Sequence, residues 1–169
     1  MNAEDIRWAR SFIGLGSNIE PREGYLAAAL KALKTVGEIT KVASIYETTP
    51  VGGVPQPDYL NTVLELRTQL GPIELAARLK ALEQALGRTS RPKWHEREID
   101  LDLLFYGDLV LDDSPELVIP HPELVRRAFV LIPMAELDPG FMHPAIHQTM
   151  RELASNIGND GVTKTEIII

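Results

Sequence analysis

Apolar residues recur along this chain in two periods, every second residue or every third and fourth, and the switches between them mark its elements. Alternation from Trp8 to Leu15 predicts a first strand closed by Gly14-Leu15-Gly16-Ser17-Asn18 as a tight turn. Pro21 then opens a helix in which Tyr25, Leu26, Ala29, Leu30 and Leu33 recur at helical spacing. Ile39 to Thr48, rich in β-branched and aromatic residues, predicts a second strand. The segment 49–58 carries Pro50, Gly52, Gly53, Pro55 and Pro57 and reads as a loop of lid length. Tyr59 to Thr68 is a third strand, with Leu60, Thr62, Leu64 and Leu66 on one face and Tyr59 and Asn61 on the other. Gly71-Pro72 starts a second helix that presents Ile73, Ala76, Leu79, Leu82 and Leu86 inward and stops at Gly87. After a loop from Arg88 to Arg97, a fourth strand runs through Asp100 and Asp102, with Ile99, Leu101, Leu103 and Phe105 sharing the opposite face.

The order β-α-β-β-α-β is that of an α+β, ferredoxin-like sandwich: an antiparallel sheet with two helices on one face and the other face free. The stripes Leu60/Leu64/Leu66 and Ile99/Leu101/Leu103/Phe105 would build its core, leaving Tyr59, Asn61, Asp100 and Asp102 on the free face. Extra C-terminal helices are expected from Glu123 or Arg127 toward Leu137 and from Ala145 to Ile157, before a strand-like tail from Thr163 to Ile169. No repeat or linker divides the chain, so residues 1–169 read as one domain.

Composition narrows the function. A net charge of −7 argues against bulk attraction to nucleic acid or anionic lipid, so any anion site must be local. The absence of cysteine excludes disulfides and thiolate chemistry. The start, Met1 to Trp8, lacks the pattern of a signal peptide, and no apolar run is long enough to span a bilayer. These features predict a cytoplasmic protein without membrane or nucleic-acid partners; they leave the oligomeric state open, and a monomer is the expectation.

Asp100 and Asp102 lie about 6.7 Å apart along an extended backbone, both on one face. Carboxylates so placed can hold one or two hard cations such as Mg²⁺, which take oxygen ligands and keep positions open for water or phosphate. A wet strand face also carries acids for solvation alone. The basic run Arg88, Arg91, Lys93 and Arg97 just upstream, where Glu96 is the only acid, points instead to a polyphosphate.

Five segments in this order resemble the 6-hydroxymethyl-7,8-dihydropterin pyrophosphokinase family of folate biosynthesis. They are Gly14 to Asn18, Tyr46-Glu47-Thr48-Thr49-Pro50, Pro57-Asp58-Tyr59-Leu60-Asn61, Lys93 to Leu104, and Pro120-His121-Pro122 followed by Arg127-Ala128-Phe129. The resemblance implies transfer of the β,γ-diphosphate of ATP to the pterin hydroxymethyl group, with release of AMP. It implies two Mg²⁺ ions on Asp100 and Asp102, and Arg88 and Arg97 as catalytic phosphate-facing arginines. Glu83, Trp94, His121 and Arg127 join them as ATP contacts, and Thr48, Val51, Tyr59, Asn61 and Phe129 line the pterin pocket. Gly16, Ser17 and Asn18 are read as fold residues. The chain departs from the family pattern at His95 and Glu96, where glycine and then proline or another tolerated residue are usual, and this bears on how the 88–97 loop folds. Two other classes share single features with the chain. Nucleotidyltransferases combine a Gly-Ser turn with an acid pair, but close together in sequence; RNA-binding ferredoxin-like modules use the same sheet face, but with aromatics and positive charge.

Overall fold

The computed structural model describes residues 7–112 and 115–169, so most of the segment read for a leader lies outside the described residues. The strands are β1 (Ala9–Ser17), β2 (Glu38–Val42), β3 (Tyr46–Thr48), β4 (Tyr59–Thr68), β5 (Asp100–Tyr106) and β6 (Val162–Lys164). The helices are α1 (Arg22–Leu33), α2 (Pro72–Ala85), α3 (Ala128–Leu137) and α4 (Met150–Ile157), with a 3₁₀ turn at Leu124–Arg126. All six strands join one sheet in the order β5-β1-β4-β3-β6, with β2 also paired to β4. Every pairing is antiparallel.

The expected second strand is divided. Glu38–Val42 pairs with the far end of β4 across an irregular register, and Tyr46–Thr48 pairs with its near end, Tyr46 opposite Asn61 and Thr48 opposite Tyr59. The tail adds β6 to the outer edge of β3. Gly14 and Gly16 do not form a turn: β1 continues through them to Ser17, with Gly14 opposite Asp102 and Gly16 opposite Asp100. α2 is also rotated from its expected face. Leu75, Leu79 and Glu83 are buried, while Ile73 is 64% exposed.

The face expected to be free is half covered. Neighbouring residues of one strand point to opposite sides of a sheet, and here both sides are apolar. Ile13, Leu15, Leu64 and Leu101 join Leu26, Leu33, Leu75 and Leu79 of α1 and α2 in one core. Phe12, Val63, Leu104 and Phe105 join Leu131, Met134, Met150 and Leu153 of α3 and α4 in a second. Phe105 therefore leaves the stripe of Ile99, Leu101 and Leu103. The register shifts so that Phe12 faces Phe105 while Ile13 faces Leu103; the extra residue, Leu104, reverses the alternation beyond it. There Phe105 meets Phe12 and Phe141 edge-on, with centroids 6.2 and 4.9 Å away. Burying α3 and α4 against this half of the face leaves a cleft over the other half, where the two long loops meet.

Candidate active site

The floor of the cleft is made by three adjacent strands. Asp100 and Asp102 project from β5, Gly14 and Gly16 leave β1 flat beside them, and Tyr59 and Asn61 rise from β4. The cleft has a volume of ≈ 260 Å³. Burial and the neighbouring Asp102 push the Asp100 carboxyl up to about 6, against the opposing pull of Arg88, Arg97 and Arg127. Asp102 is shifted upward as well, by burial. Arg88 Nη2 approaches Asp100 Oδ1 at 3.2 Å, and Arg127 Nη1 stands 3.9 Å from Asp102 Oδ2. Among the described residues no group of three or more acids and histidines converges as a closed metal cage. The donor set is the aspartate pair, which would leave a hard cation open to water or ligand oxygens.

One wall is basic. Arg88, Lys93, Arg97, His121 and Arg127 all line the cleft. Arg88 is held from behind: Glu83 on α2 pairs with its guanidinium and accepts the Leu101 N–H at 2.7 Å, joining helix, loop and β5. His121 Nδ1 accepts the Glu123 N–H at 3.2 Å, so its remaining proton sits on Nε2. Burial, then Arg127, holds that imidazole down at about 4, leaving a neutral donor at physiological pH.

The other wall is planar and amide-lined. Asn61 Nδ2 donates to Thr48 Oγ1 at 2.5 Å, and Tyr59, Val51 and Phe129 complete the slot. Burial first, then the charge of Asp100, pushes the Tyr59 hydroxyl up to about 12, so it remains a neutral donor. Thr48 is braced from outside, where it pairs with Val162 of β6 and the next residue, Thr49, donates to the Gly161 carbonyl at 2.9 Å. Over the slot the loops 49–58 and 88–99 touch through Trp94, whose φ is +69° and whose ring lies against Gly52.

The residue pattern describing the 7,8-dihydro-6-hydroxymethylpterin-pyrophosphokinase (HPPK) family matches residues 12–139. The chain belongs to the HPPK family. A relative from Aquifex aeolicus (strain VF5), named 2-amino-4-hydroxy-6-hydroxymethyldihydropteridine pyrophosphokinase, is 38% identical over 144 residues, covering 85% of this chain and 89% of its own. One of the same name from Bacillus subtilis (strain 168) is 43% identical over 129 residues, covering 75% and 77%. A solved Plasmodium falciparum HPPK-DHPS structure shares the fold with a TM-score of 0.74 at 15% identity. The match covers 91% of this chain but 46% of that one, so the chain spans less than half of its length.

Of the residues expected from the HPPK resemblance, Thr48, Val51, Tyr59, Asn61, Arg88, Trp94, Arg97, Asp100, Asp102, His121, Arg127 and Phe129 all border this one cleft. Glu83 stands apart, 6% exposed behind Arg88, where it also borders an adjoining groove with Lys80, Gln84 and Arg91. His95, the departure from the HPPK pattern, lines the cleft, and its carbonyl accepts the Tyr59 hydroxyl at 3.4 Å. Three contributors escaped the sequence reading. Gly16 supplies absence, since a Cβ there would lie 2.5 Å from Asn61 Oδ1. Gln56 reaches the cleft from a loop with no periodicity, and Asn18 acts from beneath both loops. The only signal for Gly16 and Asn18 was their place in a family segment.

Proposed function

We propose that this chain transfers the β,γ-diphosphate of ATP to the hydroxymethyl group of 6-hydroxymethyl-7,8-dihydropterin, giving the pterin diphosphate and AMP in folate biosynthesis. One observation carries the reading: the aspartate pair lies between a basic wall and a flat, amide-lined slot, within a single cleft. Family membership supports it, through relatives named for this activity.

The pterin oxygen attacks the β-phosphorus, the bond from that phosphorus to the α-phosphate oxygen breaks, and the hydroxyl proton passes to solvent. Such transfer needs positioning and charge neutralisation more than covalent help from the protein. Asn61, Thr48 and Tyr59 offer amide and hydroxyl groups to the pterin edge, and Phe129 an aromatic face to its ring. Arg88, Arg97 and Arg127 offer planar forks to the phosphates, and neutral His121 an Nε2–H donor. The aspartate pair, its proton affinity raised by burial and, at Asp100, also by the charge of Asp102, has the oxygen-only chemistry that suits Mg²⁺. Asp100 and Asp102 would hold two such ions, which when bound neutralise the triphosphate and lower the proton affinity of the pterin hydroxyl. Closure of the two loops would keep water from the phosphates.

We also read the sheet order as the split-βαβ, ferredoxin-like plan, with β2 and β3 together standing for one strand of it. The enzyme is read as a cytoplasmic monomer. The test is product analysis with ATP, Mg²⁺ and 6-hydroxymethyl-7,8-dihydropterin. AMP and pterin diphosphate are expected; ADP, inorganic pyrophosphate or no turnover would refute the reading. Asp100→Ala should abolish turnover with an intact circular dichroism spectrum, and retained activity would remove the metal role.

A further inference from the structure

Asn18, just past β1, is 1% exposed. A buried amide costs stability unless its polar atoms are paired, and those of Asn18 are divided between two loops. On one side its backbone N–H donates to the Arg97 carbonyl at 3.1 Å, and its Oδ1 accepts the Arg97 N–H at 2.8 Å. On the other its Nδ2 donates to Gln56 Oε1 and to the Pro57 carbonyl, both at 2.9 Å. Gln56 completes the circuit, donating from Nε2 to the Trp94 carbonyl at 2.6 Å. The guanidinium of Arg97 itself donates to carbonyls of its own loop, Glu96 at 3.1 Å and Pro92 at 3.3 Å. Among the described residues it has no carboxylate within ion-pair distance, whereas Arg88 has two. The aim of Arg97 is therefore set through its backbone, and Asn18 grips that backbone on both its donor and its acceptor.

We propose that Asn18 and Gln56 are positioning residues for the diphosphate transfer: Asn18 fixes the backbone of Arg97 and, through Gln56, ties it to the 49–58 loop. Arg97 then faces the phosphates only when both loops are down. The proposal rests on the function proposed above. It accounts for asparagine in particular. Aspartate at position 18 would still accept from the Arg97 N–H, but would set a carboxylate oxygen against two other acceptors, Gln56 Oε1 and the Pro57 carbonyl.

The decisive variant is Gln56→Ala, because Gln56 lies at the rim of the cleft and its loss opens no core. Single-turnover formation of AMP, with enzyme in excess over ATP and 6-hydroxymethyl-7,8-dihydropterin, is followed in four proteins: wild type, Gln56→Ala, Arg97→Ala and the double variant. Gln56→Ala should slow the step about fivefold to tenfold, the size of one hydrogen bond, yet by less than about twofold when Arg97 is already alanine. Asn18→Asp, which breaks that link from its other end and the bond to the Pro57 carbonyl besides, should slow the step at least as much as Gln56→Ala, and a smaller effect would overturn the relay. Equal slowing by Gln56→Ala in both backgrounds would show that Gln56 acts independently of Arg97 and would overturn the relay. An unchanged rate in the single variant would overturn it too. Absence of AMP from the wild-type protein would overturn the function and the relay together.

Discussion

Gly14 and Gly16 stand two residues apart on one strand and one face, and a methyl group should affect them in opposite directions. Neither has a positive φ, so alanine can adopt either backbone. At Gly14 the added Cβ would meet Leu104 at 3.5 Å, an ordinary contact, and the loss of unfolded-chain freedom should stabilise the fold by about 0.4–1 kcal/mol. At Gly16 the Cβ would lie 2.5 Å from Asn61 Oδ1, so the amide must retreat by roughly 1 Å. It then loses its 2.5 Å hydrogen bond to Thr48 Oγ1 and leaves buried polar atoms unpaired. That loss costs about 1–3 kcal/mol, and overpacking adds a similar amount where the site cannot relax. Against the entropic gain, Gly16→Ala should destabilise by about 2 kcal/mol, lowering Tm by about 4–8 °C, while Gly14→Ala raises it by about 1–3 °C. Thermal melts of the three proteins without ligand, in one buffer, measure this. Shifts of the same sign, or a Gly16→Ala protein as stable as wild type, would refute the claim that Gly16 exists to admit Asn61.

Two further outcomes follow from the geometry. With the Asp100 carboxyl at about 6 rather than its ordinary 3.8, the folded chain holds a proton that the unfolded chain releases between those values, so ionised Asp100 opposes folding above about pH 6 and not below about pH 4. The rise corresponds to about 3 kcal/mol, which water screens to about 1–2 kcal/mol at a side chain 31% exposed. Asp100→Asn in chelator-treated buffer should therefore melt higher than wild type at pH 8, with the gap closing toward pH 4; a gap independent of pH would contradict it. Deleting residues 161–169 removes the Gly161 acceptor of Thr49 and the hydrogen bond of Thr165 Oγ1 to the Ile45 carbonyl at 2.8 Å. Pterin affinity measured by calorimetry should fall about tenfold, the worth of one or two hydrogen bonds, with ATP affinity within about twofold; equal losses for both ligands would show a general loosening instead.

The strand residues that border the cleft were legible in the sequence because strand alternation is local. Asp100 and Asp102 must share a face wherever their strand is placed, and Tyr59 and Asn61 share one for the same reason. The boundaries of β4 and the stop of α2 at Gly87, with φ +102°, also follow from local pattern. The readings that needed correction depend on neighbours. Phe105 changes sides because of an extra residue at a strand pairing, and the division of the second strand appears only against β4. Ile73 faces water because α2 turns to bury Glu83 against Arg88 and Leu101.

By itself the sequence determined which side chains carry charge, amide and aromatic surface, and which of them lie on the same side of one element, since backbone geometry repeats every two or 3.6 residues. Only the tertiary structure decided that α3 and α4 cover half of the expected open face, that Gly16 makes room for Asn61, and that Asn18 joins two loops 38 and 79 residues away in sequence. Such contacts arise when packing brings distant segments within hydrogen-bond reach, and no local period encodes them.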